Sequence, residues 1–153
     1  MRQDNRLSGA LHVLLHMAEA GRPVTSEALA RALDTNPVVV RRVMGGLREQ
    51  GYVRSVKGHG GGWTLSCELE RVTLKDVYEA LGSPQLFAIG NRSDNTQCLV
   101  EEAVNISISE ALADAEARLM ARFGEITLAA LSADFHRRLA ERGGPATLEE
   151  IHI

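Results

Sequence analysis

The stretch NPVVVRRVMGGLREQGYVRSVKGHGGGWTL, residues 36–65, runs a short helical pattern into a glycine-rich hairpin. Asn36 suits a helix cap, and Pro37 suits the first helical position, where its missing N–H costs nothing. Val40, Val43, Met44 and Leu47 then recur at helical spacing and give one apolar face as far as Gln50. The other sides carry Val38, Arg41, Arg42, Gly45, Arg48 and Glu49, and Gly51 is placed to end the helix. Two β-prone runs follow, Tyr52–Val56 and Trp63–Leu65, joined by Lys57-Gly58-His59-Gly60-Gly61-Gly62. Gly45 and Gly46 each cost about 1 kcal/mol relative to alanine inside a helix, so close approach of another helix or of a DNA backbone is the reading of their presence.

Upstream, Leu7, Ala10, Leu11, Leu14, Leu15 and Ala18 mark an amphipathic first helix that Gly21 and Pro23 end. Thr25 or Ser26 caps a short second helix with Ala28, Leu29, Ala32 and Leu33, and the tight turn 34–37 leads into the third. Two short helices across such a turn read as a helix-turn-helix, and the hairpin makes it the winged form. Val72–Leu81 is a fourth helix with Thr73 and Asp76 at capping-box spacing, and Gly82-Ser83-Pro84 closes the domain. The fold class is therefore mainly α, with a winged helix-turn-helix domain over residues 1–82 and a linker over 83–97. A long helix and a short closing helix fill 98–142, and 143–153 form a flexible tail.

The long helix, from Cys98 to Phe123, spans about 36 Å. Ile108, Leu112, Ala115 and Leu119 form one apolar stripe and Ile106, Ala113, Ala117 and Met120 another. A helix apolar on two sides needs two partners, and a chain this short covers one of them. A second copy of the helix about a twofold axis supplies the other, with Ile108, Leu112, Ala115 and Leu119 as the expected dimer interface. Gly124 ends the helix, and Thr127 caps a closing helix over Leu128–Phe135.

The chain has 153 residues, 44% hydrophobic and 24% charged, which is the composition of a globular protein with a real core. It lacks a run of about 20 apolar residues, and MRQDNR at the start lacks the apolar region of a secretory signal, so a cytoplasmic location with no membrane partner is expected. The net charge of −3 hides a division: residues 1–82 hold 11 basic and 9 acidic side chains, and residues 83–153 hold 6 and 11. Within residues 36–63, Arg41, Arg42, Arg48, Arg54 and Lys57 face Glu49 alone. Neither a phosphate-binding glycine motif before a helix nor a nucleophile with its base is present, so no enzyme is expected.

The order of elements, with GLREQGYVRSVKGHGGGWTL, then VTLKDVYEALG, a cysteine-containing linker, a long helix and ITLAAL, resembles the Rrf2 family of bacterial transcription regulators. The likeness covers residues 7–131. It implies a dimeric winged helix-turn-helix protein on a palindromic double-stranded DNA operator, with the long helices forming the dimer. Many such proteins hold an iron–sulfur cluster on three cysteines in the linker and the start of the long helix. Here only Cys98 lies between residues 83 and 110, too few thiolates for a cluster, so no cofactor and no metal are expected.

The expected roles divide by chemistry. Arg41 and Arg42, early in the third helix, are placed to read guanine, and Val38 to meet a thymine methyl, with Arg48 on the same helix. Thr25, Ser26, Thr35 and Asn36 stand at helix starts, where hydroxyls, amides and free N–H groups favour phosphate. In the wing, Gly60 and Gly61 give the backbone access, while Arg54, Lys57 and His59 give charge and donors. Trp63 is the apolar foot of the wing. Cys98, at the start of the long helix, is the candidate sensing thiol of a repressor, with a small ligand between the two parts of the chain as the other signal. Cys67 reads as a small buried residue. His12 and His16, four apart on the first helix, could share a metal, but without further ligands they read as polar residues beside a buried face. A winged helix that binds protein rather than DNA is the alternative, and the arginines of the third helix weigh against it.

Overall fold

The computed structural model describes residues 4–94 and 97–143. The elements run α1 (Arg6–Ala20), α2 (Ser26–Ala32), α3 (Pro37–Glu49), β1 (Val53–Val56), β2 (Gly62–Leu65), α4 (Leu74–Ala80), α5 (Leu99–Glu125) and α6 (Leu128–Glu141). Local chemistry sets most of the boundaries. Thr25 Oγ1 accepts from Ala28 N, Asn36 Oδ1 from Val38 N with Pro37 following, and Thr127 Oγ1 from Ala130 N. Thr73 and Asp76 close a reciprocal capping box at the start of α4.

One core joins these elements. Val13, Leu14 and Met17 of α1, Leu29 of α2, Val40, Met44 and Leu47 of α3, Val53 of β1 and Val77 of α4 are buried in a single cluster. The buried face of α1 is turned from the expected one: Val13 and Met17 lie inside, while Leu15 and Ala18 are only half-covered. A segment as uniformly apolar as LHVLLHMA fits more than one helical face, and packing on α4 and β2 selects between them.

The chain returns to this core after the long helix. Leu74 N donates to Ile126 O at 2.9 Å, Leu128 N to Val72 O at 2.8 Å and Ala129 N to Leu69 O at 3.0 Å. Leu128 is fully buried, and α6 lies against α1, where His136 Nε2 meets Glu19 Oε2 at 3.1 Å. Two endpoints differ from expectation. Gly124 does not end α5, which runs to Glu125, and α6 continues past Phe135 to Glu141.

In α5 no residue is buried over 27 residues. Its half-covered side carries Asn105, Ile108, Leu112, Leu119 and Phe123; Asn105 Nδ2 donates to Ser93 O at 2.7 Å, and the Phe123 ring meets Tyr78 edge-on. Of the four expected dimer residues, Ile108, Leu112 and Leu119 are half-covered and Ala115 is exposed, and Ile108 borders an open apolar patch with Leu99, Val100, Ala103 and Val104. The open apolar surface is Leu99, Val100, Ala103, Val104 and Ile106, continued by Ala113 and Ala117.

The two adjacent glycines of α3 part company here. A Cβ on Gly46 would sit 2.5 Å from Ala80 O of α4, whereas one on Gly45 meets nothing within 4 Å. Gly46→Ala should therefore lower stability by about 1–3 kcal/mol through overpacking, and Gly45→Ala should raise it by about 0.5–1 kcal/mol through helix propensity. Urea unfolding of both variants checks the opposite signs.

Candidate nucleic-acid interface

The start of α3 is exposed and mixed in character. Val38 and Val39 are 54% and 45% exposed, and Arg41, Arg42 and Arg48 are exposed beyond them. Their placement follows from the opposite face: with Val40, Met44 and Leu47 buried, helical geometry turns these residues outward. Arg41 Nη1 lies 3.5 Å from Glu27 Oε1 of α2, an exposed pair of the kind water screens well. Among the described residues, no carboxylate forms an ion pair with Arg42, Arg48, Arg54 or Lys57.

The wing is an antiparallel pair with Val53 opposite Leu65, Arg54 opposite Thr64, Ser55 opposite Trp63 and Val56 opposite Gly62. Val53 points into the core, and Arg54, Lys57 and His59 are exposed. Gly60 takes φ +73° in open space. Gly61 and Gly62 have a different reason to be bare. A Cβ on Gly61 would collide with Val56 O, and one on Gly62 would stand 2.6 Å from Val24 O. These two glycines are required by the chain itself, whatever else approaches the tip.

The root of the wing is tied to the helix-turn-helix. Val24 N donates to Trp63 O at 2.9 Å, Trp63 N donates to Val24 O at 2.8 Å, and the indole Nε1–H donates to Ser26 Oγ at 3.0 Å. Trp63 is half-buried against the core, as its reading as the foot of the wing requires.

Ser26 corrects the sequence reading. It is 8% exposed with its oxygen turned to Trp63, so it fastens the wing rather than presenting a hydroxyl to the surface. A second correction concerns the start of α3, expected to offer free N–H groups. Pro37 has none, Val38 N goes to Asn36 Oδ1, and Val39 N and Val40 N go to Asn36 O at 3.0 and 3.3 Å. The side-chain oxygens of Thr25 and Asn36 are thus engaged in caps, while Thr35 is exposed. Val39, exposed beside Val38, escapes sequence reasoning because its spacing from Val43 fits the apolar face.

Cys98 is exposed at the N-cap of α5, and Cys67 packs at the edge of the core, where burial pushes its thiol pKa up. Among the described residues, no three of His, Cys, Asp and Glu gather as a metal site. An open cleft between the start of α1, α4, the linker and the end of α5 is lined by Leu7, Tyr78, Leu86, Phe87 and Phe123. No helix among the described residues is long and apolar enough to cross a membrane.

Comparison with known proteins now decides the family. The sequence profile described as "Rrf2: Iron-dependent Transcriptional regulator" matches residues 3–134. The chain belongs to the Rrf2 family. It is 30% identical over 108 residues to YwnA of Bacillus subtilis (strain 168), covering 70% of this chain and 79% of that one, and 28% identical over 131 residues to YffB of Lactococcus lactis subsp. lactis (strain IL1403), covering 78% and 80%. Both carry names of HTH-type transcriptional regulators. Among solved structures, a transcriptional regulator from Lactobacillus plantarum superimposes with TM-score 0.73 at 26% identity, over 86% of this chain and 90% of that one. T. potens IscR, at 19% identity, shares the fold with TM-score 0.62 over 96% and 93%. This Rrf2 protein is accordingly a DNA-binding transcription regulator by family, with a winged helix and a long C-terminal helix.

The joint between Trp63 and Ser26 yields a direct test. Ser26→Ala strands the indole N–H and should cost about 1 kcal/mol, at the low end for a half-buried donor. Urea unfolding followed by the fluorescence of Trp63, the one tryptophan in the chain, reads this loss.

Proposed function

We propose that this Rrf2 protein is a homodimeric repressor that binds a palindromic operator, with Arg41, Arg42 and Val38 reading bases in the major groove. Arg48, Arg54, Lys57, His59, Thr25, Thr35 and Asn36 position the sugar–phosphate backbone, along with the tip at Gly60 and Gly61. The observation that carries this reading is the set of exposed cations, Arg42, Arg48, Arg54 and Lys57, that stand on the third helix and the wing without a carboxylate partner among the described residues. An arginine bidentate to guanine discriminates by about 1–3 kcal/mol, while a lysine on phosphate adds affinity without sequence preference.

Dimerisation is supported by the bare apolar strip Leu99, Val100, Ala103, Val104 and Ile106, which a second α5 covers in an isologous pair. On this reading the protein works without an iron–sulfur cluster. Its signal enters at the exposed thiol of Cys98 or in the cleft beside Tyr78 and Phe87.

Genomic fragments selected for binding supply the operator. Arg42→Ala should reduce the preference for it over random DNA by about 10- to 150-fold. Lys57→Ala should weaken operator and random DNA alike and flatten the slope of log K against log salt by about 0.9 for each phosphate left unneutralised. Unchanged preference in Arg42→Ala removes the assignment of the reader. In sedimentation, the parent should run as a dimer and Val104→Glu as a monomer, because a carboxylate would be buried in the pair.

A further inference from the structure

His12 and His16, one turn apart on α1, bring their Nε2 atoms to 2.8 Å with ring centroids 4.6 Å apart and planes inclined by 35°. The helix that carries them is packed into the core through Val13, Leu14 and Met17. His12 also lines the recess between α1 and the first turns of α3, with Thr35, Val39 and Val43. The separation of the two nitrogens is a hydrogen-bond length, one Nε2–H donating to the other Nε2.

The same convergence fits the edge of a metal coordination sphere. Metal–nitrogen bonds of about 2.0–2.1 Å place two cis ligands about 2.9 Å apart at a right angle and about 3.3 Å apart at the tetrahedral angle. Small rotations of the rings therefore exchange the shared proton for a cation. Imidazole is the ligand of the borderline divalent transition metals, and paired histidines at i, i+4 on one helix face are a recurrent way of holding them.

We infer that His12 and His16 together ligate a divalent cation of the zinc, nickel and copper class. Alone, the spacing HVLLH does not distinguish this from two polar residues at the border of a buried face. The facing Nε2 atoms add that both ring nitrogens already converge on one point beside the helix. The site is separate from Cys98 and from any thiolate-held cluster, and it stands whether or not the DNA reading holds.

The test is titration of the full chain with zinc chloride against a chromophoric chelator, beside His12→Gln, His16→Gln and a Cys67→Ser/Cys98→Ser variant. The expected result is one zinc ion per chain, retained by the cysteine variant. Each histidine variant should lose affinity by more than about tenfold, the least that removal of even an outer-shell partner costs. Histidine variants that bind zinc as the parent does would overturn the inference, as would loss of binding in a folded cysteine variant. Should the cysteine variant not fold, nickel broadening of the His12 and His16 ring protons in the parent decides: selective broadening supports the site, and its absence refutes it.

Discussion

Trp63 is joined to the helix-turn-helix at three points, two backbone hydrogen bonds with Val24 and one from its indole to Ser26. Gly62, next to it, has no room for a Cβ against Val24 O, so the wing root and the segment before α2 pack backbone to backbone. A two-stranded ribbon is marginal by itself. Pinned in this way, it keeps a set position relative to α3. That constraint is what allows Arg54 and Lys57 on the wing to act with Arg41 and Arg42 on the helix as the proposed single surface. Groups already held in place lose less freedom on binding.

The long helix poses the complementary problem. Its covered side is anchored at one end, where Phe123 meets Tyr78 and residues 126–129 bond back to residues 69–74. At the other end Leu99 and Val100 are 80% and 74% exposed. An exposed strip of this kind at the start of a rigid rod is what a second copy would cover. A twofold arrangement of rods would in turn fix the separation of two DNA-binding units, which is how operator symmetry mirrors protein symmetry.

Much of this was legible in the sequence because it rests on local chemistry. Caps at Asn36, Thr73 and Thr127 and the proline after Asn36 are interactions within three residues, so the chain spells them out. Features that depend on distant partners were not legible. Ser26 reads as a surface hydroxyl until Trp63, 37 positions away, takes it. Gly46 and Gly61 are explained by carbonyls of α4 and β1. The α1 face shifts because nearly every residue there is apolar, leaving the choice to packing.

The proposed interface requires the first turns of α3 and the wing tip to meet one duplex together. Amide NMR spectra of the protein titrated with its selected operator measure this residue by residue. Resonances of Val38, Arg41 and Arg42 should shift in step with those of Lys57, Gly60 and Gly61, at one protein dimer per duplex. Shifts confined to one of the two segments, or centred on α6, would contradict the proposed interface.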